Sequence, residues 1–149
     1  STVVGQSLGA RSSDGALRAA KRSLVLAIAT AIPLGLLCAW QRVALAELFT
    51  DDRAVVLALS PFMLCLALAQ PFLQLHFTLG GAHKGAGDTV TPLIGAAIGN
   101  WGIRVPVAIL LGAVLEMDVV WLWATLIFDH IARTLWMGAS FIRGKWREI

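Results

Sequence analysis

Charged residues are scarce in this sequence, at 14% of its 149 residues, whereas soluble domains carry about 25%. Hydrophobic residues account for 58%, and the mean hydropathy is +0.77. This composition excludes an ordinary soluble domain and indicates an integral membrane protein. Cysteine is also scarce, because Cys38 and Cys65 are the only two. Both fall inside apolar segments at different depths, so we predict free thiols rather than a disulfide.

Motifs for catalysis and ligand binding are absent or incomplete. No spacing of His, Cys and carboxylate residues resembles a metal site, and no nucleophile–base arrangement suggests an enzyme. The stretch GGAHKGAGDTVTP, residues 80–92, has the composition of a phosphate-binding loop. Its order is wrong, however, because Lys84 precedes the last two glycines and a helix rather than a strand comes before it. We therefore predict a protein that is not an enzyme and holds no metal or cofactor.

Four apolar segments are each long enough to cross the roughly 30 Å hydrocarbon core of a bilayer. They cover residues 22–40, 54–79, 91–114 and 119–142. Residues 1–10 resemble the last turns of an earlier span, and the chain opens without Met or a leader, so we expect part of a longer protein. The predicted fold is an all-α integral membrane protein with four complete transmembrane helices and the end of a fifth.

The segments between the spans also have predicted roles. Residues 11–22 are expected to form a basic connection, and residues 41–52 a short amphipathic helix at the membrane surface. Thr50 or Asp51 is expected to cap the second span, and Thr91 the third, with Pro92 at its first helical position. Four prolines inside the spans predict kinks: Pro33, Pro61, Pro71 and Pro106.

The basic residues predict the orientation of the spans. If both ends of the chain face the cytoplasm, only Arg42 and Arg53 lie on the opposite side. The cytoplasmic set is Arg11, Arg18, Lys21, Arg22, Lys84, Arg143, Lys145 and Arg147. This distribution follows the positive-inside rule. It explains the net charge of +3 without a nucleic-acid partner.

Three formally charged residues fall inside the predicted spans: Arg104, Asp129 and Arg133. Each costs at least about 2.5–3.5 kcal/mol near the bilayer centre, so each needs a partner. Counting outward from the turn between the third and fourth spans puts Arg104 level with Asp129, and Asn100 level with Arg133. We predict a cluster of these four residues, with Asp129 paired between Arg104 and Arg133, which follows it by one helical turn. It either lines or gates a transport cavity, or it is structural and fixes helix packing.

Other polar residues in the spans give further signals. Gln70 precedes Pro71, which frees the carbonyl of Ala67, and polar groups beside free backbone form binding sites in broken helices. Gln70 can equally bond to a neighbouring helix. His130 is interpreted as a hydrogen-bonding neighbour of Asp129 in preference to a proton relay.

The glycine-rich residues 80–92 predict a tight cytoplasmic turn between two spans. Gly85 and Gly87 allow positive φ and close backbone approach. Lys84 is expected to anchor the turn, and Asp88 is an alternative to Thr91 as the cap of the next helix. A role of these charged residues in a cytoplasmic gate is a hypothesis.

Five stretches resemble, in order and spacing, the carboxy-terminal part of the multidrug and toxic compound extrusion (MATE) transporters. They are VGQSLGAR at 4–11, ELFTDDRAV at 47–55, AQPF at 69–72, KGAGDTVTP at 84–92 and WGIRVP at 101–106. The resemblance implies a multi-pass protein of the cell membrane with twelve helices in two lobes. This chain would be the end of helix 8 and helices 9–12, with its carboxy terminus cytoplasmic. Its partners would be the bilayer and the missing amino-terminal lobe.

The same resemblance implies export of organic cations and other xenobiotics in exchange for H⁺ or Na⁺. Family members commonly carry an arginine before GAGDT, where this chain has His83 and Lys84. Some members place an acidic ligand for the coupling ion on the tenth helix, but residues 54–79 contain no Asp or Glu. The coupling-ion site is therefore expected outside this chain. The alternatives are a flippase or exporter of lipid-linked saccharides, and a membrane anchor or assembly subunit without transport.

Overall fold

A computed structural model describes residues 2–144, which form helices joined by short turns, with no strand among these residues. The α-helices are α1 (Thr2–Gly9), α2 (Ser13–Trp40), α3 (Arg42–Glu47), α4 (Arg53–Gly85), α5 (Val90–Ala97), α6 (Val105–Ile109) and α7 (Val119–Arg143). Two π-helical segments, π1 (Ile98–Arg104) and π2 (Leu110–Val114), follow α5 and α6. Lys145 and Arg147, which were assigned to the cytoplasmic side, lie outside the described residues.

The second helix begins earlier than the sequence predicted. α2 starts at Ser13, because Ser12 Oγ accepts a hydrogen bond from the N–H of Gly15 at 3.2 Å and Asp14 lies in the first turn. Both features stabilise a helix N-terminus. The predicted connection over residues 11–22 is therefore wrong, because nearly all of it is the first part of α2. Basic residues in that part mark the end of a span rather than a loop.

The cap of α4 is Asp52, which differs from both residues that the sequence predicted. Asp52 Oδ1 accepts from the N–H of Ala54 at 2.9 Å, so neither Thr50 nor Asp51 is the cap. α4 then continues for 33 residues, with Pro61 and Pro71 inside it. Pro33 likewise lies inside α2. The bends predicted at these prolines stay predictions.

The segment Val90–Val114 is one helical rod whose hydrogen-bonding pattern changes along its length. In π1 and π2 the bonds skip one residue more than in an α-helix: the N–H of Val105 bonds to the carbonyl of Asn100, and that of Leu115 to Leu110. Pro106 is the second residue of α6, two residues after the end of π1. Since proline donates no backbone bond, the α pattern is interrupted in the region where the sequence predicted a break.

Three helices of the described chain are long and apolar enough to cross a membrane: Ser13–Trp40, Arg53–Gly85 and Val90–Val114. The fourth predicted span corresponds to α7, which has 25 residues. Asp129, His130 and Arg133 interrupt its apolar sequence, and α7 is not among the three. The structure thus supports an all-α membrane protein, and a fourth membrane crossing stays a prediction.

α4 lies at the centre of the bundle and packs against α2 on one side and α7 on another. Small residues allow the backbones to come close: a Cβ on Gly35 of α2 would lie 2.9 Å from the carbonyl oxygen of Ala67, and one on Gly5 of α1 would lie 2.8 Å from that of Gly85. Large apolar side chains on α2 face outward, as expected of helices in lipid; Leu26 and Leu36 are 66% and 67% exposed. Both cysteines are free thiols.

Candidate functional site

Asp129 is the most deeply buried charged residue of the described chain, with 0% of its surface exposed. Arg133, one turn later on α7, donates from Nε to Oδ1 at 2.6 Å and from Nη2 to Oδ2 at 2.9 Å. This bidentate geometry is among the strongest side-chain pairings known. A carboxylate at this depth is retained because both of its oxygens have a charged donor.

Asn100 connects this ion pair to the helical rod Val90–Val114. Arg133 Nη2 also donates to Asn100 Oδ1 at 2.6 Å, which joins α7 to π1. The sequence placed Asn100 level with Arg133, and the structure brings the two together. We call Asn100, Asp129 and Arg133 the polar cluster.

Gly99 makes room for the polar cluster. A Cβ at residue 99 would collide with Asp129 Oδ1 and Arg133 Nε. In the sequence, Gly99 is one of several glycines on the third predicted span. In the structure, the ion pair occupies the space that a side chain at residue 99 would take.

Arg104 is not a member of the polar cluster. It is exposed, and it lies beyond ion-pair distance of Asp129, whose described salt bridge is with Arg133. The predicted contact of Asp129 with Arg104 is therefore wrong, whereas its predicted contact with Arg133 is observed. Two physical reasons account for this: Arg133 reaches Asp129 from the adjacent turn of the same helix, and the wider π1 turns change the direction in which residue 104 points.

Two histidines lie beside the polar cluster. The rings of His76 and His130 stack with their centroids 5.1 Å apart. His76 Nδ1 is 3.1 Å from the carbonyl oxygen of Phe72. The hydroxyl of Thr134 donates to the same oxygen at 3.0 Å. Nδ1 of His130 is buried and has no hydrogen-bond partner among the described residues. His130 is thus a stacking neighbour, not a hydrogen-bonded partner of Asp129.

Gln70 lies on α4 and makes no side-chain hydrogen bond within the part of the chain that the structure describes. The carbonyl of Ala67, which Pro71 frees from its helical bond, faces the backbone of α2 at Gly35. Close approach of α2 therefore covers the backbone that the broken-helix hypothesis needed to be open. Gln70 stays a candidate residue without an observed partner.

The turn between α4 and α5 is held by Asp88. Its Oδ2 is 2.9 Å from Nδ1 of the buried His83, and its Oδ1 accepts from the N–H of Thr91 at 2.9 Å. Burial alone would raise the pKa of Asp88, but hydrogen bonds from Thr91 and His83 outweigh it, and the net shift is downward. Of the two predicted caps, Asp88 is the one observed.

Gly85 and Gly87 of this turn differ in backbone conformation. Gly87 has φ 89°, a conformation that favours glycine. Gly85 is the last residue of α4 and Lys84 precedes it, so the helix extends farther into the predicted turn than expected. Positive φ is needed at Gly87 and not at Gly85.

Replacing Asp88 with alanine is expected to destabilise the protein by about 1–3 kcal/mol, because a cap and a buried histidine lose their partner. Because the pKa of Asp88 is lower in the folded state, its stabilisation is complete above the unfolded value of about 4 and is lost as pH falls below it. Thermal unfolding from pH 7 to pH 3 measures both effects. Thr89→Ala is the control, since Thr89 makes no side-chain cap bond; an equal loss in both variants contradicts the assignment.

Comparison with known proteins gives one family. The model of the MatE family matches residues 1–110. A "Probable multidrug resistance protein NorM" of Thermotoga maritima is 26% identical over 99% of this chain and 32% of its own length. "Multidrug and toxin extrusion protein 1" of Mus musculus is 28% identical over 97% of the chain and 26% of its own length. A second NorM protein, from Mesorhizobium japonicum, is 31% identical over 80% of the chain.

The chain spans about a third of the length of the first of these relatives and about a quarter of the second. No solved structure matches.

Proposed function

This chain belongs to the MatE family, and from that premise we propose its function. We propose that it is part of one lobe of a secondary transporter that exports drugs and other xenobiotics. Relatives named for multidrug resistance and for multidrug and toxin extrusion support this proposal. In this proposal the chain lies in the cell membrane with both ends in the cytoplasm. The rest of the transport pathway is formed by the lobe that lies outside this chain.

The polar cluster is the observation that carries the proposal. An ionisable residue inside a membrane is costly and marks a pathway or relay by default. Asp129 lies on α7, the proposed fourth span, and none of its surface is exposed. Its link to Asn100 crosses from α7 to π1. π-helical turns occur frequently at functional sites, so we assign the polar cluster to the transport machinery. In this role, the hydrogen bond between Asn100 and Arg133 couples α7 to the helical rod Val90–Val114.

The coupling ion is proposed to be H⁺ or Na⁺, bound outside this chain. Antiport of this kind draws on the gradient of the ion, so export stops when the gradient is removed. The buried carboxylate of Asp129 is already held by Arg133, which makes it a poor ligand for a sodium ion. Gln70 and Asn100 are the proposed uncharged contacts of the substrate.

The proposal is tested with the intact transporter reconstituted into liposomes. Efflux of a fluorescent cationic dye is expected when a pH or Na⁺ gradient is imposed and not when ionophores remove both gradients. Asn100→Ala and Gln70→Ala are expected to slow efflux. Ser7→Ala is the control, because the Ser7 hydroxyl donates to the carbonyl of Val3 within α1. Absence of gradient-driven efflux by the unmodified protein rejects the function. Unchanged efflux in both variants rejects the residue assignment alone.

A further inference from the structure

A cavity of about 210 Å³ lies between α4, α5 and α7, next to the polar cluster. Lys84 and Arg133 line it, and no Asp or Glu is among the described residues that do. Asp129 lies behind Arg133 and contributes nothing to the cavity wall. Drug-sized ligands occupy pockets of about 300–1,000 Å³, so the cavity suits a smaller group, and its charge favours an anion.

Arg133 keeps donors available for such an anion. A guanidinium has five N–H donors, and the polar cluster uses Nε and both N–H groups of Nη2. Nη1 makes no hydrogen bond with any described residue. Its two N–H groups can donate to an oxygen atom of a phosphate or carboxylate.

Lys84 adds a charge that its neighbours do not neutralise. It is exposed, and within residues 2–144 it forms no salt bridge. The nearest acidic residue along the chain, Asp88, is already engaged by His83 and by the N–H of Thr91. The cavity therefore has a cationic end at Lys84 and a donor group at Arg133.

Apolar side chains complete the cavity wall. Phe77, which is 65% exposed, lines the cavity together with Pro92 and Met137. An inorganic anion makes no use of such a surface, whereas the first part of an acyl chain packs against it. Basic pockets between membrane helices bind the head groups of anionic lipids for these reasons.

We propose that this cavity binds the phosphate group of an anionic phospholipid, with Lys84 and Arg133 as its contacts. The site shares Arg133 with the polar cluster, but lipid binding to it requires neither a transport substrate nor an ion gradient. It predicts a preference for phosphatidylglycerol over the zwitterionic phosphatidylcholine.

Binding of a fluorescently labelled phosphatidylglycerol to the intact protein in phosphatidylcholine nanodiscs tests the proposal. Lys84→Gln is expected to raise Kd about fivefold, because a basic residue near the membrane surface contributes about that factor. Gly80→Leu is expected to abolish binding: a Cβ at residue 80 lies 3.8 Å from Met137 and 4.0 Å from Pro92, so a larger side chain grows into the cavity. Lys21→Gln, on α2 and away from the cavity, is the control.

Equal Kd values for the unmodified protein and both cavity variants overturn the proposal, as does an equal effect of Lys21→Gln and Lys84→Gln. A further arm adds inorganic phosphate at millimolar concentration. No displacement of the labelled lipid supports a lipid source. If inorganic phosphate displaces the lipid, and does so less well in Lys84→Gln, the cavity is a phosphate site whose ligand comes from solution. Displacement that is the same in Lys84→Gln overturns the site.

Discussion

Replacement of Asp129 by asparagine is expected to lower the free energy of unfolding by about 3 kcal/mol. Breaking a buried ion pair costs about 3–5 kcal/mol because the remaining charge stays buried without compensation. The lower end applies here, since the side chain of Arg133 retains 14% exposure and lies against a cavity. Chemical unfolding of the intact protein in mixed micelles, followed by tryptophan fluorescence, measures the change.

Two further variants separate loss of the pair from loss of charge. Asp129→Leu combined with Arg133→Met is expected to recover most of the stability, because an apolar pair of similar volume leaves no unpaired charge. Arg104→Gln removes an exposed arginine that has no ion-pair partner among the described residues, so its effect should stay below about 0.5 kcal/mol. A double variant as unstable as Asp129→Asn contradicts the proposed cause.

Gly99→Ala is expected to cost about 1–3 kcal/mol and to break the hydrogen bond between Asn100 and Arg133. The added methyl would occupy the space of Asp129 Oδ1 and Arg133 Nε, so either the ion pair or the rod must move. The same unfolding measurement reports the stability. Gradient-driven efflux reports whether the contact between α7 and π1 is needed for transport.

Gly102→Ala is the matched control for this variant. Gly102 lies in the same π-helical segment, and the nearest atom to an added Cβ is Ile98 Cγ2 at 3.9 Å. The intrinsic effect of replacing glycine by alanine in a helix is therefore common to both positions, and the collision is confined to residue 99. Equal stabilities of the two variants would show that the space at Gly99 is not required.

Helix periodicity and apolar length predicted most of the fold. The predicted spans 54–79 and 91–114 correspond to Arg53–Gly85 and Val90–Val114, because long apolar runs bounded by turn residues have few alternatives. The start of α2 was placed nine residues too late, at 22 instead of Ser13. Basic residues near a membrane surface are compatible with both a loop and a helix end, and hydropathy alone does not separate the two.

The candidate site was predicted in part. Counting residues from a turn gives depth along a helix, and it put Asn100 level with Arg133, which the structure joins. Depth does not determine direction around the helix axis, so the same counting selected Arg104 for Asp129 wrongly. The space at Gly99 and the stacking of His76 on His130 depend on side-chain positions across helices, which one sequence does not specify.

The π-helical segment between α5 and α6 also bears on how residues 90–114 present themselves to lipid. An α-helix advances about 100° per residue, at 3.6 residues per turn, and each residue accommodated by a wider turn shifts the phase of everything that follows. A single helical wheel for residues 90–114 therefore assigns the wrong face to residues on one side of the π-helical segment. Lipid-facing and protein-facing positions should be assigned separately for Val90–Ala97 and Val105–Ile109, and accessibility labelling along the rod should show two periodic patterns offset at residues 98–104.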